Sequence, residues 1–362
     1  MLRSIWSRLR GWVSDEVPFA LATVVRVAGS GPRAPGACMA VAGDGRRFIG
    51  SASSGCLEAV VMEAAKAVLA SGGTRRLRFG PDGPQPWSDG LTCGGWVDVR
   101  VDPWWRWCGG SGPAVAEAVI DWMDTDATGV VVSRGAAHAA FDAGGRFVAG
   151  DRALASAMAE PVAAALATGL PPHERQADRG DEPVFLHVLA RRPRLVMVGA
   201  VDVAVHLVAL ARECGWATVV VDPREAFVAA ERFPQPPDRL MRSWPERIVP
   251  ELDLGPRDAA VVLTHDAKID DPALLAFLET RVGYIGALGS TRSHAARLDR
   301  LAERGADPSA LARIDGPAGI HLAVGSAAGV ALGIMAGVER WLARRDRAAL
   351  AAAPATPASM EG

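Results

Sequence analysis

The chain has 362 residues, 49% of them apolar and 22% charged, which is ordinary for a globular protein and long enough for two cores. A formal net charge of −2 excludes a general pull toward nucleic acid or an anionic membrane. The five cysteines, Cys38, Cys56, Cys93, Cys108 and Cys214, contain no C-x-x-C pair, which argues against a disulfide framework or structural zinc and for reduced thiols.

Asp15 and Glu16 precede the first apolar run, unlike a signal peptide, and the best membrane candidate, Leu195 to Ala211, is broken by Asp202 and His206. The expectation is a soluble cytoplasmic protein. Lys66 and Lys268 are the only lysines, so arginine carries the positive charge and suits phosphate or carboxylate.

In chain order, Ser4 to Val13 has the spacing of a short amphipathic helix, and "FALATVVRV" that of a strand. "ACMAVAGDGRRFIGSAS" reads as a hairpin turning at Asp44-Gly45. A helix is predicted from Cys56 to Ala70, ended by Gly72-Gly73. The strand "RRLRF", a glycine- and proline-rich loop and the alternating strand "WVDVRVD" follow. A helix at Pro113 to Met123, the strands "GVVVSR", "AHAAF" and "RFVAG", and a helix at Arg152 to Thr168 come next. "PPHERQADRGDEP" reads as an exposed loop, and "VFLHVLA" as a strand leading onward. No internal repeat is evident. Beyond it, wholly apolar strands ("RLVMV", "ATVVVD", "AAVVLTHD", "GYIGALG") alternate with helices, the pattern of a parallel sheet covered on both faces. A last helix spans Ser326 to Ala343.

The fold class is therefore α/β: an N-terminal α+β domain (1–110), a middle segment and linker packed with it (111–190), a Rossmann-like parallel-sheet domain (191–343) and an unstructured tail (344–362). In the Rossmann-like domain Gly199 ends the first strand and Asp222 stands where a ribose-binding carboxylate is expected. "GAVDVA" replaces the G-x-G-x-x-G fingerprint, however, and Val201 and Asp202 disfavour a dinucleotide pyrophosphate in the usual pose. Ser290 and Arg292, in a loop opening a helix, read either as an anion site or as an N-cap with a solvated arginine. His265 follows the third strand. The "PWWRW" cluster reads as core or interface. Cys56 and Cys93 are both flanked by glycine. At a helix start the dipole stabilises a Cys56 thiolate, while Glu58 opposes it. No nucleophile–base pair, metal triad or hydride-transfer histidine marks an enzyme acting alone.

In order, "ALATVVRVAGSGPRAPGACM", "IGSASSGCLEAVV" and "GLTCGGWVDV" resemble the N-terminal signature of the XdhC/CoxI family, accessory factors for xanthine dehydrogenase and related molybdenum hydroxylases. "PRLVMVGAVDVAVHLVALARECGWATVVVDPREAF" and "YIGALGSTRS" resemble its Rossmann-like domain. The resemblance implies molybdenum cofactor (molybdopterin) as bound cargo, with NAD(P) disfavoured. It also implies a cysteine-desulfurase-type sulfur donor, an apo molybdenum hydroxylase as recipient, and a homodimer. Gly55, Cys56 and Glu58 match the family's GGCxE element, Cys93, Gly94 and Gly95 its CGG element, and Arg33 its SPR turn. With Gly199, Asp222, Ser290 and Arg292 these form the expected cofactor-binding set, Cys56 being the contact to molybdenum through the bound cofactor. Two alternatives stand beside this: an NAD(P)-dependent oxidoreductase and a diverged, non-binding scaffold paralogue.

Overall fold

The computed structural model describes residues 1–29, 33–53, 55, 57–80, 95–169, 173–175, 182–323 and 325–352. They fall into two units, Met1–Arg191 with the chain's end from Ala348, and Arg192–Arg347.

In the first unit Leu2, Ile5, Leu9 and Val13 recur at helical spacing and are buried along helix α1 (Leu2–Ser14). The strands β1 (Phe19–Ala28), β2 (Cys38–Ala42) and β3 (Phe48–Gly50) follow, then α2 (Glu58–Ser71), β4 (Arg75–Phe79) and β5 (Trp96–Pro103). They pair antiparallel in the order β3-β2-β1-β5-β4. The chain then continues with α3 (Gly112–Asp124), β6 (Gly129–Arg134), β7 (Ala137–Asp142), β8 (Phe147–Gly150), α4 (Arg152–Thr168), β9 (His173–Arg175) and β10 (Val184–Leu189). This second set is also antiparallel and ordered β8-β7-β6-β10-β9. β9 lies in the stretch expected to be a loop; its polar residues form an edge strand because β10 supplies the ladder.

The two sets are one module used twice: a helix, three meandering strands, a second helix and a closing hairpin. Local detail repeats with the topology. Glu16 and Asp126 both take left-handed backbone, at φ 51° and 56°, just after α1 and α3. Val17 and Ala127 donate their N–H groups to the carbonyls of Trp12 and Trp122, both at 2.9 Å. Asp44 and Asp142 organise the β2–β3 and β7–β8 turns through backbone N–H groups and the arginines Arg47 and Arg146. Gly50 and Gly150, at φ 86° and 112°, end the third strands, where a Cβ would lie 2.4 Å from the Cys38 carbonyl and 2.2 Å from that of His138.

Both sheets are covered on both faces. One core gathers α1, α3 and residues of both sheets around Trp104 and Trp105, which resolves the tryptophan cluster as core at those two positions. α2 covers the other face of the first sheet, and α4 that of the second.

The second unit contains β11 (Arg194–Val198), α5 (Asp202–Glu213), β12 (Ala217–Val221), β13 (Arg239–Met241), α6 (Pro245–Ile248) and β14 (Ala259–Val262). Then come α7 (Ala267–Leu278), β15 (Tyr284–Ala287), α8 (Thr291–Glu303), α9 (Pro308–Leu311), β16 (Ile314–Asp315) and, up to Arg347, α10 (Ala327–Ala352). Its six strands are all parallel, in the order β13-β12-β11-β14-β15-β16, the doubly wound order of a Rossmann sheet. Alternate residues of β11 serve two cores, Val196 and Val198 on one face and Leu195 and Met197 on the other, so the strand reads as wholly apolar. α10 continues to Ala352, through part of the stretch expected to be unstructured, because its Ala, Leu and Arg residues are strong helix formers. No helix among the described residues is long and apolar enough to cross a membrane.

Candidate functional site

The pairing of the first sheet assembles the site. Ala28 at the end of β1 faces Trp96 at the start of β5, and Phe79 at the end of β4 faces Val97. Cys38 at the start of β2 pairs with Thr23, and Gly50 at the end of β3 with Met39. The β1–β2, β3–α2 and β4–β5 connections therefore all begin or end at one end of one sheet. They carry Arg33, then Gly55, Cys56 and Glu58, then Cys93, Gly94 and Gly95. In the second module Arg134 pairs with Ala137 across a tight turn, and Asp151 caps α4 directly after β8. The longer β1–β2 and β3–α2 connections belong to the first module.

Glu58 organises the β3–α2 connection. Its Oε1 accepts from Ser51 Oγ (2.7 Å) and Ser53 N (3.0 Å); its Oε2 accepts from Ser53 Oγ (2.6 Å), Gly55 N (2.9 Å) and Leu57 N (3.1 Å). Burial raises the pKa of this carboxyl, but the bonds from Ser53 and Ser51 outweigh it and hold the value at about 2. Five donors on one carboxylate hold Ser53, Gly55 and Leu57 outside the helix, so α2 starts at Glu58 rather than at Cys56 as expected. Gly55 holds φ 126°, a conformation that favours glycine. Cys56, Cys93 and Gly94 lie outside the described residues; Gly95 is buried where the chain enters β5. None of the described cysteines is an activated thiol: burial raises Cys38, Cys108 (to about 11) and Cys214.

A cavity of about 330 Å³ opens at the same sheet end, lined by residues of α1, by Arg33 and Ala37, and by Phe48, Gly50 and Ser51. Arg33 is exposed there. Sequence reasoning missed Arg8 of α1, which also lines the cavity, because a lone arginine on the polar side of a helix carries no motif.

The remaining expected residues lie in the second unit. Gly199 holds φ 105°, and a Cβ there would stand 2.4 Å from Thr264 Cγ2, so the close packing of this turn requires glycine. Asp222 is fully buried. Its Oδ2 accepts from Ala200 N (2.8 Å), and both its oxygens pair with Arg224. Burial raises the pKa of this carboxyl, but Arg224 and the backbone donors outweigh it and keep it ionised. Its lone pairs are directed at the chain itself. Ser290 is the N-cap of α8 in a capping box with Ser293, and Arg292 is exposed beside it. His265 sits at φ 62°, ahead of α7.

A duplicated α+β module with a motif-bearing sheet end, followed by a doubly wound parallel sheet, defines a two-unit protein with a Rossmann-type second half. Residues 12–80 match the XdhC and CoxI family and residues 195–338 the XdhC Rossmann domain; the chain belongs to the XdhC/CoxI family. It is similar to a probable xanthine dehydrogenase subunit of Bacillus subtilis (strain 168), 28% identical over 290 residues, covering 77% of this chain and 81% of that protein. It is also similar to the molybdenum cofactor insertion chaperone PaoD of Escherichia coli (strain K12), 27% identical over 323 residues, covering 88% and 81%. A crystal structure of a protein from Bacillus halodurans, described as a xanthine dehydrogenase, shares the fold at a TM-score of 0.76 and 22% identity, covering 98% of both chains.

Proposed function

We propose that this chain is an accessory factor that binds molybdenum cofactor as cargo at the loop end of its first sheet. It holds the cargo while a cysteine-desulfurase-type partner supplies the terminal sulfur, then passes it to an apo molybdenum hydroxylase of the xanthine dehydrogenase type. It acts in the cytoplasm as a homodimer. The convergence of three motif-bearing connections on one sheet end supports this reading: Arg33 lines a cavity there, and the connections whose sequences bear Cys56 and Cys93 leave from or return to the same end. A soft thiolate suits molybdenum and sulfur exchange better than acid–base work, and arginines suit a phosphate tail. Glu58 is engaged by Ser53, Gly55 and Leu57, neighbours of Cys56 in sequence, which leaves the role of soft ligand to the cysteine. The names of the relatives agree with this role. In the second unit, Asp222 spends its oxygens on Ala200 and Arg224, which weighs against a ribose-binding carboxylate and an NAD(P)-dependent oxidoreductase.

Co-elution tests the reading. The purified chain is incubated with molybdenum cofactor and, separately, with NAD(P)H. Cofactor retained by the wild type and lost by Cys56→Ala is the expected result. Preferential retention of NAD(P)H, or retention of neither ligand, overturns it.

A further inference from the structure

The cavity at the loop end of the first sheet has a composition that the cysteine motifs do not explain. Arg8 and Arg33 both line it. Among the described residues neither guanidinium has an ion-pair or hydrogen-bond partner, although most arginines of this chain have one. No lining residue is acidic; the lining hydroxyls of Ser4 and Ser51 donate to Met1 O and to Glu58 Oε1. Glu58, behind Ser51, has both its oxygens engaged by five donors, and cations without partners around a concave space whose lining holds no carboxylate make an anion site.

The second module serves as an internal reference. With α1 and α3 aligned on their shared C-terminal turns, Ile5 and Leu9 correspond to Val115 and Val119, all buried. Arg8 then corresponds to Ala118, and the tight β6–β7 turn has no counterpart to Arg33. The module folds without either arginine. Their presence in the first copy, at the end where the motif-bearing connections meet, is a local addition to the scaffold.

We infer that this cavity is a binding site for the phosphoryl end of a small molecule, a phosphate monoester or diphosphate, with Arg8 of α1 and Arg33 of the β1–β2 connection as its paired cations. A guanidinium offers two parallel N–H donors to phosphate oxygens, and a volume of about 330 Å³ fits a small-molecule pocket and not a protein surface. The inference deepens the proposed function, on which it rests only for the identity of the cargo.

Inorganic pyrophosphate is the probe, titrated calorimetrically into the full chain. The wild type is expected to bind it, and Arg8→Ala and Arg33→Ala each to weaken it by about tenfold or more, the loss expected for a charge-assisted bidentate contact. Arg8→Lys should recover only part of the affinity, because an ammonium lacks the fork. Arg146→Ala, at the β7–β8 turn of the second module and not among the lining residues, should change nothing. Both arginines are exposed, and circular dichroism checks that the variants fold. No pyrophosphate binding by the wild type overturns the inference, as does equal binding by the alanine variants. It is also overturned if Arg8→Ala impairs only association with an apo-hydroxylase, which would make the arginines a protein-docking surface. Pyrophosphate held through Arg8 and Arg33 by a chain that does not retain molybdenum cofactor upholds the site and removes the proposed cargo.

Discussion

The Glu58 clamp gives the sharpest test. In Glu58→Gln one acceptor oxygen becomes an NH2 group. The serine hydroxyls can rotate to accept from it, but at least one backbone N–H among Ser53, Gly55 and Leu57 then faces another donor. The wild-type carboxyl lies at about 2 against an ordinary 4.5, which by linkage corresponds to ~3 kcal/mol, and partial exposure trims this to ~2 kcal/mol. For a unit of this size that is about 4–8 °C in Tm. The sign follows from the depressed folded pKa: the stabilisation is complete above pH 4.5 and is lost as pH falls toward 2. Urea unfolding of both proteins at pH 7, repeated down through that window, measures it. The gap should be present at pH 7 and close as acid protonates the wild type. Equal stability at pH 7, or a gap of constant size down to pH 2, refutes the clamp.

Gly50→Ala and Gly150→Ala should each cost about 2–4 kcal/mol, since both force a Cβ onto a strand carbonyl at positive φ; chemical denaturation showing either variant near wild type contradicts the matched strand ends. Burial lowers His187 to about 3 and His138 to about 4, so His187 by itself should contribute a fall of ~1.4 kcal/mol per pH unit as pH drops from 6.5 toward 3, where only the unfolded state takes the proton. Among the described residues His187 Nε2 has no hydrogen-bond partner, so His187→Leu should remove that share of the slope; an unchanged pH profile counts against the buried neutral imidazole. Asp222→Ala strands Ala200 N–H and Arg224, and should lower the second unit's unfolding free energy by about 3–5 kcal/mol; a denaturation curve matching wild type would show that the Gly199 turn does not depend on this carboxylate.

Apolar periodicity made most elements legible, because it records local burial: α4 and the strand β6 stand where the pattern puts them. What escaped was tertiary. The start of α2 depends on Glu58 reaching back to three backbone N–H groups, and β9 exists only because β10 lies beside it. The sequence pattern placed a carboxylate at Asp222 but could not show that Arg224 and Ala200 turn it inward. Arg8 joins Arg33 only through the placement of α1 near β2 and β3. The repeat stayed hidden because the two copies retain common chemistry mainly at positions of backbone constraint, such as Trp12 and Trp122 or Gly50 and Gly150, while connection lengths and side chains have diverged.

Building one scaffold twice separates two burdens that single-copy proteins must combine. The second copy, with its short turns, can maintain packing like a chassis. The first can lengthen its rim and admit strained, polar or sulfur-bearing residues there. The rim of the first copy could then vary while α1 and α3 keep the core that both copies share.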